Sequence, residues 1–143
     1  MRIVGMNSSH LKKCEDIERD SFLGLRKDDF EKCLRDKNYI LLVACENDEI
    51  LGYVVGLNIA DSVEVISIAV DGLKRRLGVG RLLIKALLDE SKVRGAGEAF
   101  LEVGEANLGA RALYEKVGFV AISVRPKYYN NSEDAIVMKL QLL

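Results

Sequence analysis

The chain has 143 residues, which fits a single domain over 1–143 with a real core. Apolar residues make up 49% and charged residues 30%, an ordinary soluble balance, and a net charge of -1 argues against a general affinity for nucleic acid. No apolar run approaches the ~20 residues that a bilayer demands, and the start Met1-Arg2-Ile3-Val4-Gly5-Met6 lacks the long apolar core of a signal peptide, so no membrane role is expected.

Arg2 to Met6 reads as a short first strand. Asn7-Ser8-Ser9 offers N-cap oxygens, and Leu11, Cys14, Ile17 and Ser21 then step at helical spacing. Phe22-Leu23-Gly24-Leu25 breaks that helix. Asp28 and Glu31 have capping-box spacing for a second helix that turns Phe30, Cys33 and Leu34 inward. Tyr39 to Cys45 and Ile50 to Asn58 are strand-like, joined by the tight polar turn Glu46-Asn47-Asp48-Glu49. Val63 to Val70, β-branched and bounded by Asp71-Gly72, reads as a buried strand. Arg81 to Val93 is helical by period: Leu83, Ile84, Leu87, Leu88 and Ser91 share one face, and Arg81, Lys85, Asp89 and Lys92 the other. Gly95-Ala96-Gly97 ends it, and Ala99 to Val103 is a short strand. Asn107 caps a helix running to Val117, with Gly118 as its stop. Phe119 to Val124 and Ala135 to Leu140 are the last strands, and the loop between them holds Pro126, Tyr128, Tyr129, Asn130 and Asn131. The order β-α-α-β-β-β-α-β-α-β-β is α+β, a mixed, mostly antiparallel sheet flanked by about four helices.

Cys14, Cys33 and Cys45 are odd in number and lack a Cys-x-x-Cys pair. That argues against a disulfide framework or a metal site and for a reducing, cytoplasmic setting. His10 alone gives a Cys-His nucleophilic pair little support.

Arg75-Arg76-Leu77-Gly78-Val79-Gly80 stands between the buried strand and the long helix. The first N–H groups of a helix have no intrahelical partner, and the helix dipole favours anions there. Glycine lets a phosphate reach those groups without a Cβ in the way. A P-loop is excluded because Gly-Lys-Ser/Thr is missing, and Leu83 stands where a dinucleotide fingerprint needs its third Gly. Arg75, Gly78 and Gly80 match Gln/Arg-x-x-Gly-x-Gly/Ala, and the segment resembles the pyrophosphate loop of the GNAT superfamily of acetyl-CoA-dependent N-acetyltransferases. A second block follows: Leu101-Glu102-Val103, Asn107, Ala112 through Phe119, Tyr128-Tyr129 and Glu133 through Met138. From Ile68 to Met138 the chain resembles the branch that acetylates protein N-termini, the bacterial ribosomal-protein-alanine and archaeal N-terminal acetyltransferases.

The resemblance implies acetyl-CoA contacts at Ile68, Ala69 and Val70, at Arg76, Leu77, Gly78, Val79, Gly80 and Arg81, and at Asn107. It implies Glu102 as general base, with Glu64 in reserve, and Tyr114 as the proton donor to the departing thiolate. It places Phe22, Leu25, Tyr128 and Tyr129 at the peptide entrance. No metal is implied. The partners implied are protein N-termini, a ribosomal protein among the candidates; the oligomeric state is left open. An α-amine with pKa ~7.8 is neutral in about one molecule in seven at pH 7, against about one in 2,500 for a lysine near ~10.4, so it asks less of a base. Direct attack needs no enzyme nucleophile, and the Glu102 carboxylate and the Tyr114 phenol are expected on the same side of the sheet. The alternatives are a small-amine, polyamine or lysine acetyltransferase and a non-catalytic acetyl-CoA-binding regulator. Gly104 and Ala106 stand where the family often has Arg and Ser, which leaves the local support of Glu102 and Asn107 unexplained.

Overall fold

The computed structural model describes residues 1–18, 25–72, 78–126 and 133–143. The chain begins with β1 (Arg2–Gly5), a 3-10 turn (Ser8–His10), α1 (Leu11–Glu18) and α2 (Lys27–Leu34). A meander follows: β2 (Tyr39–Glu46), β3 (Glu49–Ile59) and β4 (Ser62–Val70). Then come α3 (Val79–Val93), β5 (Glu98–Gly104), α4 (Leu108–Val117), β6 (Val120–Arg125) and β7 (Ala135–Gln141). The seven strands form one sheet in the order β1-β2-β3-β4-β5-β7-β6. The pair β4–β5 is parallel, and the other neighbours are antiparallel. This is the element order and the mixed, mostly antiparallel sheet expected from the sequence.

Local chemistry explains most element ends. Asn47 and Asp48 take positive φ (51° and 65°), the geometry a two-residue hairpin requires between β2 and β3. The Asn107 side chain accepts from Ala110 N–H at the start of α4, and Gly118 ends that helix at φ 120°. One expectation fails in detail. The N-cap of α2 is Arg26, whose N–H donates to the Asp29 carboxylate at 2.9 Å, so the helix starts at Lys27, before Asp28. That register leaves Leu34 36% exposed rather than inward, while Phe30 is buried. Ser21 and Phe22 through Gly24 lie outside the described residues.

Two apolar clusters cover the two faces of the sheet. On one face α3 and α4 pack Val79, Leu83, Ile84, Leu87, Leu88 and Tyr114 against Val63, Val65, Leu101, Val103, Ile136 and Met138. On the other face α1 and α2 pack Leu11, Cys14, Ile17 and Phe30 against Leu41, Val43, Tyr53 and Val55. The helical face read from the sequence, Leu83 to Ser91, is buried throughout.

β4 departs from the expected buried run. Its register against β3 shifts: Val55 faces Ser67 but Gly56 faces Val65, so Ile66 is an inserted residue. Such a bulge reverses which residues point to which face. Val63 and Val65 point toward α3; beyond the bulge Ile68 and Val70 do, while Ser67 hydrogen-bonds Tyr53 on the α1 face. Ile68, Ala69 and Val70 are only half-buried.

Close approach at the end of β4 makes Gly52 obligatory. A Cβ there would lie 2.7 Å from the Ala69 carbonyl oxygen and 3.2 Å from both Val70 Cα and Leu83 Cδ1. Backbone cannot step aside as a side chain can. Gly52→Ala is therefore expected to lower stability by about 1–3 kcal/mol, read as a lower urea midpoint at unchanged slope.

Candidate active site

The ladder between β4 and β5 covers Ser62 to Glu64 against Glu98 to Phe100 and stops there. Both strands continue, β4 to Val70 and β5 to Gly104. Beyond the bulge their facing edges are not paired among the described residues, and the sheet opens. Unpaired backbone edges can accept an extended ligand as a sheet accepts another strand. Ile68, Ala69 and Val70 form one lip of this opening; Leu101, Glu102 and Val103 form the other.

The start of α3 stands at the open end. Gly78 is its N-cap, with φ 79°, a conformation that strains any L side chain. An ideal Cβ on Gly78 would meet nothing among the described residues within 4 Å. Leu82 N–H donates to the Gly78 carbonyl, and the N–H groups of Val79, Gly80 and Arg81 have no acceptor among the described residues. The buried Val79 side chain anchors this turn in the core. A Cβ on Gly80 would lie 3.2 Å from Leu113 Cδ2 and 3.8 Å from Val70 Cγ2. The end of β4, the start of α3 and α4 therefore converge, and these are three of the elements expected to hold acetyl-CoA. The open, donor-lined helix start fits a pyrophosphate. Arg81 is exposed beside it. Arg76 and Leu77, expected at the same loop, lie outside the described residues. Asn107 is exposed, and its side-chain oxygen is taken by the α4 cap.

Glu102 and Tyr114 do not share a face of the sheet, which corrects the expectation. Leu101 and Val103 point into the α3–α4 cluster, so Glu102 between them points to the α1–α2 face. Tyr114 lies within the α3–α4 cluster, 7% exposed, its ring edge-on to Phe119 at 6.1 Å between centroids. In a closed sheet this would separate the two groups. Here the ladder is broken beside Glu102, which lies on the unpaired stretch of β5, and Tyr114 lies on α4 next to Leu113, which abuts the α3 start.

Glu102 is held. The Arg125 guanidinium, at the end of β6, donates to Glu102 Oε1 at 2.6 Å. Glu102 Oε2 is buried with no hydrogen-bond partner among the described residues, leaving one carboxylate oxygen for an incoming group. Glu64, exposed on β4, lines the same shallow cavity as Glu102, Phe100 and Val137. Sequence reasoning missed Arg125, because the pair spans 23 residues and no local pattern announces it. Leu25 packs against the α1–α2 cluster; Phe22, Tyr128 and Tyr129 lie outside the described residues. No helix among the described residues is long and apolar enough to cross a membrane.

Comparisons with known proteins agree with this architecture. Residues 9–119 match the Acetyltransferase (GNAT) family. Over 109 residues the chain is 35% identical to the ribosomal protein bS18 alanine N-acetyltransferase of Salmonella typhimurium, covering 74% of each chain. Its counterpart in Escherichia coli K12 is 34% identical over 109 residues, again with 74% of each chain covered. The crystal structure of the ribosomal-protein-S18-alanine N-acetyltransferase from Escherichia coli superposes with a TM-score of 0.89 at 29% identity, covering 99% of this chain and 93% of that one. Ard1 from Thermoplasma volcanium shares the fold, with a TM-score of 0.88 at 24% identity over 99% of this chain and 97% of that one.

The unexplained Gly104 and Ala106 also find their reason in the structure. Glu133, just before β7, places Oε1 2.7 Å from the Ala106 N–H, which donates to it. Its carboxylate lies over Gly104, where a Cβ would come 2.5 Å from Oε1. A larger residue at 104 and this carboxylate exclude each other, and the loop after Glu102 is held from β7 instead. Gly104→Ala and Glu133→Ala should each cost about 1 kcal/mol. The double variant should cost little more than either alone, because both remove the same bond; additive losses in chemical denaturation would refute the shared contact.

Proposed function

The chain belongs to the GNAT acetyltransferase family and is an acetyl-CoA-dependent acetyltransferase, and we propose that its acceptor is the α-amine of a protein N-terminus. The observation that carries this reading is the 35% identity, over 74% of both chains, to an enzyme named for acetylating an alanine of ribosomal protein bS18. A ribosomal protein is accordingly the first substrate to test. The free cysteines Cys14, Cys33 and Cys45 suit a reducing compartment, and we place the enzyme in the cytoplasm.

The roles below are supported by the geometry of the described residues and, for the others, by the family resemblance alone. The N–H groups of Val79, Gly80 and Arg81, beside Gly78, hold the pyrophosphate; the family resemblance adds Arg76, Leu77 and Asn107 to that contact. Ile68, Ala69 and Val70 present strand edge to the pantetheine amides. The thioester supplies an electrophilic carbonyl carbon and a thiolate leaving group. Glu102, fixed by Arg125 through Oε1, takes one proton from the attacking amine through Oε2, directly or across a water. Tyr114, on the opposite face, gives one proton to the sulfur as the C–N bond forms and the C–S bond breaks. A phenol near ~10 is a weaker acid than a thiol near ~8.5, so this transfer needs the contact that a buried, packed tyrosine provides. The family resemblance assigns the peptide entrance to Phe22, Leu25, Tyr128 and Tyr129.

Incubation with acetyl-CoA and peptides differing at their first two residues, followed by mass spectrometry, tests the acceptor. Acetyl groups on α-amines are expected; acetyl groups only on internal lysines or on spermidine would overturn the assignment. Glu102→Gln and Tyr114→Phe should each lower kcat by about a hundredfold or more. Acetyl-CoA affinity by calorimetry should stay within about threefold, because both groups act on the reacting atoms rather than on the phosphates. Unchanged turnover in either variant removes that residue from the chemistry.

A further inference from the structure

Glu18, the last residue of α1, is completely buried. A carboxyl in the interior is costly unless hydrogen-bonded, and one without a task is readily replaced by an apolar side chain. Its surroundings show what it joins. Ser67 Oγ donates to Glu18 Oε1 at 3.2 Å. The Tyr53 hydroxyl, 3.1 Å from Ser67 Oγ, also hydrogen-bonds the carboxyl. The Leu25 N–H donates to it as well. Ser67 is the residue after the β4 bulge and the one before Ile68. Leu25 closes the connection between α1 and α2.

Building on the acceptor reading above, we propose that Glu18 is a positioning residue that ties the peptide-side loop at Leu25 to the thioester-side strand at Ser67, so that both halves of the reaction sit in register. Two requirements are otherwise unconnected. Under the acceptor reading the loop holds a peptide and the strand edge holds pantetheine, yet among the described residues no backbone ladder joins Leu25 to β4. One carboxylate can accept several hydrogen bonds, more than any neutral side chain of its size, so it can bind a backbone N–H and two hydroxyls at a single point. Burial pushes the Glu18 carboxyl above its ordinary pKa, and the bonds from Tyr53, Ser67 and Leu25 pull it back. That opposition marks a polar knot held against its desolvation cost. The sequence carried a faint signal: Glu18 lies one and two turns beyond Cys14 and Leu11, on the apolar face of α1.

The test compares Glu18→Gln, which keeps one acceptor oxygen, with Glu18→Leu, which keeps none, and with Ser67→Ala. The Michaelis constant for an acceptor peptide should rise at least about tenfold in Glu18→Leu and less in Glu18→Gln, while that for acetyl-CoA stays within about twofold. Hydrogen exchange at the Leu25 amide should be slow in the wild-type protein and faster by about tenfold in Glu18→Leu. A merely structural role would lower the melting temperature and the active fraction and leave the peptide constant unmoved. An unchanged peptide constant, or an equal rise in both constants, overturns the proposal. If Glu18→Leu does not fold, Glu18→Gln and the wild-type exchange decide, and a Leu25 amide unprotected in the wild type overturns it. A wild-type protein that leaves α-amines untouched refutes the acceptor reading instead, and the exchange experiment still judges the tie.

Discussion

A single residue too many in β4 organises this molecule. Ile66 has no partner on β3, and the added twist of a bulge turns the strand away from its other neighbour. The parallel ladder with β5 ends at Glu64 and Phe100. A sheet buried on both faces is normally a barrier, since its backbone groups satisfy one another and leave no room between strands. Here they part in the middle of the domain, with helices on both sides. The core tolerates the opening because the sheet keeps its cover: α3 and α4 pack one cluster and α1 with α2 the other, and β5 remains paired to β7 along its whole length.

The same bulge decides which chemistry reaches the opening. By reversing the parity of β4 it turns Ser67 toward α1, where Glu18 and Tyr53 lie, and turns Ile68 and Val70 toward α3. Without it, Ser67 would point into an apolar cluster with an unmet hydroxyl. Charge is distributed to match. Glu102 is paired with Arg125, Glu98 with Lys139 at 2.7 Å, and Glu133 with a backbone N–H. Glu98 shares the parity of Glu102 but lies where the ladder with β4 is intact. Position along the strand, not residue type, separates a surface ion pair from a carboxylate at an opening.

The parts read correctly from sequence share one property: their signal is local. The α3 face from Leu83 to Ser91 repeats at helical period, and Gly78, Gly95 and Gly118 occupy positive φ, where side chains are strained. Asn107 caps α4 through its own side chain. The parts misread depend on partners far along the chain. Val63 to Val70 has the composition of a buried strand in either register, and only β3 reveals the inserted Ile66. Asp28 has capping-box spacing to Glu31, yet α2 starts at Lys27, because the Arg26 N–H bonds Asp29 instead. The site was legible as a set of residues, not as an arrangement. Motif spacing brought Glu102 and Tyr114 together without saying that a sheet stands between them.

That separation has a physical use under the roles proposed here. A general acid and a general base on one face, within reach of the same reacting carbon, would hydrogen-bond each other and share a proton, which spends the driving force of both. Glu102 is instead held by Arg125 on the α1–α2 face, and Tyr114 packs against Phe119 within the α3–α4 cluster on the other. In this fold the sheet keeps the two groups from bonding each other, and under these roles the gap between β4 and β5 is what lets one bond-forming centre reach both sides of it.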